Sequence, residues 1–103
     1  MILSVFDRLL LLNILPKEGD LTTLKIVRTL RDNLSFSEEE HAALQFKREG
    51  NSTLWRDDAD VNKEVVIGEK ATDIIVDALK ALNKAKKLTD QHIDLYEKFV
   101  KEN

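Results

Sequence analysis

The residues whose types and spacing come nearest to a metal site are Asp58, Asp60 and Asn62, with Glu69 at the twelfth place counted from Asp58. Short oxygen ligands at alternate positions, closed by a glutamate at the twelfth, suit a large hard cation such as Ca2+. The sixth place, where such a loop needs the sharp turn of a glycine, is Lys63, whose ammonium would lie close to the ion. The stretch Asp57 to Asn62 therefore reads first as a solvated acidic loop and only second as a cation site. A second spacing, Glu38-x-x-His41, puts two ligand types on one helical face, as in di-iron carboxylate bundles. Those sites repeat the motif and add two glutamates, whereas the other histidine, His92, has Thr89 three places before it. Glu38 and Glu40 are more simply the acidic opening of a helix, with His41 at its surface. No Ser-His-Asp set and no glycine-rich phosphate loop can be picked out, so the expectation is a non-enzymatic chain without a cofactor or metal.

Composition narrows the classes further. Absent cysteine, thiolate catalysis, thiolate metal sites and disulfides are excluded, which fits a reducing cytoplasm. A net charge of -3 provides no general attraction to nucleic acid or an anionic membrane. The apolar run FDRLLLLNIL, Phe6 to Leu15, is too short to span a bilayer and lacks the cationic lead and small-residue cleavage site of a signal peptide. The expected setting is cytoplasmic, with one soluble domain of 103 residues.

The elements that must position these residues are organised around that run. Leu9, Leu10, Leu11 and Leu12 point in successive helical directions and, with Phe6, Ile14 and Leu15, make the helix apolar nearly all round. Such a helix is central in a bundle or partly covered by another chain. Ser4 with Asp7 starts it and Pro16 stops it, giving a helix over about 4–15. Asp20 caps a second over about 21–34, with Leu24, Val27, Leu30 and Leu34 as its inner stripe. Ser37-Glu38-Glu39-Glu40 is a capping box opening a third over about 38–44.

The period then changes from 3.6 to 2. Strands are expected over about 45–48 and 53–56 around a Gly50-Asn51 turn, which sets Phe46 opposite Trp55, a pair contributing about 0.2 to 1 kcal/mol. A third strand is expected over about 64–67. Helical spacing returns over about 69–86, with Ala71, Ile74, Ile75, Ala78, Leu79 and Leu82 on one side and Lys80 to Lys87 toward its end. A last helix over about 90–101, capped by Thr89, presents Ile93, Tyr96, Phe99 and Val100. The fold class is thus α+β and predominantly α-helical: about five helices, with a small antiparallel sheet of two or three strands between the third and fourth.

Three helices followed by a hairpin also describe a winged-helix domain, in which Lys47, Arg48 and Arg56 would touch phosphates. Its third helix, however, would open with three glutamates against the phosphate backbone. The segments LLLLNILPKEGD, TLKIVRTLRDNLSFSEEEHAAL and IGEKATDIIVDALKALNKAKKLTDQHIDLYEKF resemble small uncharacterised proteins of phage or prophage type. That resemblance implies a small accessory or structural protein and transfers no site residue. The sequence therefore points to a protein-interaction or accessory module, acting on a protein partner or a second copy of itself, with nucleic-acid binding as the contrasting class and no membrane. The apolar faces of the other elements can bury the first helix; any leucine of Leu9, Leu10, Leu11 and Leu12 left uncovered marks where a partner sits.

Overall fold

A computed structural model describes residues 1–56, 58 and 62–100. In chain order the elements are β1 (Ile2–Leu3), α1 (Val5–Ile14), α2 (Leu21–Leu34), α3 (Glu38–Leu44), β2 (Lys47–Glu49), β3 (Ser52–Leu54), β4 (Lys63–Glu64), α4 (Glu69–Lys84), a 3-10 turn (Asp90–His92) and α5 (Ile93–Phe99). The described chain is α+β and mostly helical, as its periodicities require.

The starts of the first three helices follow from their caps. The Ser4 hydroxyl accepts from the Asp7 N–H at 3.0 Å while the Asp7 carboxylate accepts from the Ser4 N–H at 3.1 Å. Asp20 accepts from the Thr23 N–H at 2.7 Å, and that bond holds its carboxyl below the usual range. Ser37 and Glu40 form a second reciprocal box. The end of α4 is a Schellman closure: Lys87 N–H donates to the Leu82 carbonyl at 2.9 Å and Lys86 N–H to that of Asn83 at 3.0 Å. This places Lys86 at a φ of 59°, a conformation that ordinarily belongs to glycine.

The core gathers one stripe from each long helix. Leu10, Leu11 and Leu15 meet Val27, Leu30 and Leu34 of α2 and Ile75 and Leu79 of α4, closed by Leu95, Phe99 and Val100. The last helix turns Tyr96, Phe99 and Val100 inward as expected and departs from the pattern at its start, where Leu95 takes the place of Ile93. It begins as a 3-10 turn, and the α-helix proper starts only at Ile93, so the inner residues are Leu95 and Phe99 while Ile93 is half in water. The change from three to 3.6 residues per turn shifts the phase of the stripe.

The strands differ more. The hairpin has the expected Gly50-Asn51 loop, with Lys47 opposite Leu54 and Glu49 opposite Ser52. Gly50 alone of the two loop residues has positive φ, 58°, the type II′ pattern. The third strand does not join this hairpin. β4 pairs antiparallel with β1, Ile2 opposite Glu64 and Leu3 opposite Lys63, in a separate two-stranded sheet. It stops after two residues because β1 is only two residues long; one further bond, from Val65 N–H to the Met1 carbonyl at 2.8 Å, extends the pairing. Val65 is then buried, whereas Val66 points into solvent.

Candidate binding groove

Two charged residues lie buried in α1, and they decide how the helix is held. Arg8 is fully buried. Its Nε donates to the Leu34 carbonyl at 3.1 Å and its Nη2 to that of Ser35 at 2.7 Å, the freed carbonyls at the end of α2. Nη1 and Nη2 grip the two oxygens of Glu40 at 2.6 and 3.2 Å, and the guanidinium lies 3.9 Å from the centre of the Phe36 ring. The Arg8 hydrogen bond is the main cause that holds the Glu40 carboxyl down at about 2; burial opposes it, and the Ser37 N–H and the charges of Arg8 and Lys63 add to it. Asp7, also buried, takes the Lys98 ammonium of α5 at 2.9 Å. These groups are satisfied by one another, and the set works as a clasp joining α1 to the α2–α3 corner and to α5. Sequence reasoning missed the pair. The available signal was spacing: Arg8, Leu11 and Leu15 stand at i, i+3 and i+7, so Arg8 shares the innermost direction of the helix.

With Arg8 directed into that clasp, the remaining side of α1 faces the hairpin. Trp55 stacks on Phe6 with ring centres 6.2 Å apart and meets Phe46 edge-on at 6.3 Å, as the register predicts. Phe46 continues onto Phe36 at 5.0 Å and His41 at 5.5 Å. This row of rings is what attaches the hairpin, because all six ladder residues of β2 and β3 are exposed and a two-stranded ribbon is marginal in water.

Between the anchored hairpin and the helix lies a groove of about 660 Å³. Leu9 and Leu12 line it from α1 with Phe6, and Thr53, Leu54 and Trp55 line it from the hairpin. Of the four leucines singled out in the sequence, Leu10 and Leu11 are buried, whereas Leu9 and Leu12 are half-buried along this groove. Leu54, opposite them, is 47% exposed.

Of the three cations of the contrasting reading, Lys47 and Arg48 lie side by side on β2 and Arg56 follows β3. Arg56 is engaged by Asp58 through two bonds, at 2.6 and 3.1 Å, and Lys47 lies 3.9 Å from Glu49. Arg48 makes no ion pair among the described residues and lines the groove. Of the Ca2+ candidates, Asp60 lies outside the described residues. Asp58 holds Arg56, Asn62 is exposed, and Glu69 sits in the first turn of α4. Among the described residues no three acidic or histidine groups cluster as metal ligands, and the ring of His41 packs on Phe36 and Phe46. No described helix is long and apolar enough to cross a membrane. Compared with known protein families, with curated proteins and with solved structures, the chain matches none, so the groove is read from its own geometry.

Proposed function

We propose that the chain is a non-enzymatic protein-interaction module, an accessory protein of the small phage-type kind its sequence resembles, and that the groove between α1 and the hairpin is its contact face. One observation carries this reading: Leu9, Leu12 and Leu54 remain partly uncovered after the chain has folded, and they line one concave surface instead of lying scattered. Isolated apolar residues at a surface are ordinary, whereas apolar residues gathered in one concavity among polar ones, here Asn13, Arg48, Asn51 and Gln91, are a usual form of a recognition site. Rigidity supports it too. The aromatic row and the Arg8 clasp fix both walls of the groove before any partner arrives, which lowers the ordering cost of binding.

A photoreactive phenylalanine analogue in place of Leu54, in cells that naturally make the protein, tests the assignment. A discrete protein adduct is expected from that position and none from the same analogue in place of exposed Glu97. An adduct of twice the 11.8 kDa chain mass identifies a second copy as the partner, and a larger or different mass a foreign one. Equal, diffuse labelling from both positions would overturn the reading.

A further inference from the structure

The groove has one wall that a hydrophobic cleft does not need, the edge of a strand. Among the described residues β3 has a hydrogen-bonded neighbour on one side only, β2. In a ladder closed by a two-residue loop, the pair flanking the loop, here Glu49 and Ser52, exchanges both hydrogen bonds and the next pair does not. Thr53 therefore turns its N–H and carbonyl away from β2. The successive residues Ser52, Thr53 and Leu54 of β3, which alternate between its two faces, all line the groove, as do Trp55 just after the strand and Arg48 of β2, so the groove reaches the strand's edge as well as one face.

The two strands of the hairpin are protected unequally. β2 is Lys47-Arg48-Glu49, charged at every position, whereas β3 is Ser52-Thr53-Leu54, with neither charge nor proline. Charge and proline are the common means of keeping a strand edge from pairing, and the edge that lacks them is the one beside the apolar wall of α1. Among the described residues, Arg48 alone brings a charge to the groove's lining, and it makes no ion pair with any of them.

We infer that the occupant of this groove is an extended segment of a partner protein, added to β3 as a third strand, with apolar side chains at alternate positions laid on Leu9 and Leu12 and a carboxylate meeting Arg48. This rests on the groove being the contact face and goes beyond it by fixing the partner's conformation and charge. Backbone bonds to Thr53 would supply sequence-independent affinity, and the leucines and Arg48 the selection among sequences. A helix laid in the same groove would satisfy the leucines but leave the Thr53 edge unused.

The probe is a displayed library of random short peptides, panned against the full chain, with enriched peptides resynthesised for titration. The expected peptides alternate apolar residues and carry an acid, and their binding slows amide exchange at Thr53. Thr53→Pro, which removes the outward N–H and no hydrogen bond of the β2–β3 ladder, should weaken them about tenfold. Arg48→Glu should weaken them about fivefold and shift selection toward basic peptides. The near-ultraviolet signal of Trp55 on Phe6 verifies that both variants keep the hairpin in place. Peptides that bind as helices, or equally well to Thr53→Pro, overturn the strand model; if Leu12→Asp still abolishes their binding, the groove stands as the contact face. Peptides indifferent to Leu12→Asp overturn both. Absence of enrichment overturns the inference, as does a dimer of the free chain that Thr53→Pro dissociates, which would assign the edge to a second copy.

Discussion

At the scale of single residues, Arg8 and Glu40 form the most buried ion pair among the described residues. A buried guanidinium that loses its carboxylate keeps its desolvation cost, so the two partners are not equivalent to the surface pairs elsewhere in the chain. Glu40→Gln is expected to lower stability by about 2 kcal/mol, less than for a fully enclosed pair because Glu40 is partly exposed. The pH dependence follows from the same contact. Glu40 titrates at about 2 in the folded chain against an ordinary 4.5, so its contribution is complete above about 4.5 and drains away as pH falls toward 2. Urea unfolding at a series of pH values should show the acid-side loss in the native chain and a shallower one in Glu40→Gln. Equal slopes would mean that Arg8 holds Glu40 no more tightly than water does.

At the scale of elements, the helix termini were the most legible part of the sequence. Ser4, Asp20 and Ser37 cap where their spacing says they should, because a cap is a contract among four consecutive residues and needs no distant neighbour. Phe46 and Trp55 met for the same reason, a two-residue turn that fixes register locally. What local pattern did not reveal was long-range. The partner of β4 is at the other end of the numbering, and Ile2-Leu3 is too short to announce itself as a strand. The direction of Arg8 depended on Ser35 and Glu40, and the groove on how a hairpin leans on a helix. The calcium-like spacing was legible as a pattern; of its residues, Asp58 is bonded to Arg56 and Asp60 lies outside the described residues. One helix end is improvable. Lys86 sits at the left-handed position of the Schellman closure, where a Cβ is strained. Lys86→Gly should therefore raise stability by about 0.5 to 1 kcal/mol, a gain of a few degrees in thermal midpoint by calorimetry. An unchanged or lower midpoint would show that the lysine is unstrained there.

At the scale of the whole molecule, the described residues form a helical core with two small ribbons doing different jobs. One, β2–β3, stands outside the core and borders the groove. The other, β1–β4, lies against it: Leu3 and Val65 are both buried. That pairing of Leu3 with Lys63 spans most of the chain, and its consequence is a matter of time rather than of contacts. Docking α1 on α4 closes a loop just as long, and a ribbon of two residues a strand returns too little on its own to be formed before that docking has brought its strands together. The helices form and dock first, and the ribbon zips last. Leu3→Ala should then hasten unfolding nearly in proportion to its loss of stability while leaving the refolding rate almost untouched, which stopped-flow measurement of both limbs would register. Slowed refolding would place the ribbon in the nucleus instead. If it does close last, it also opens first, and the route by which this protein comes apart begins at its amino-terminal strand.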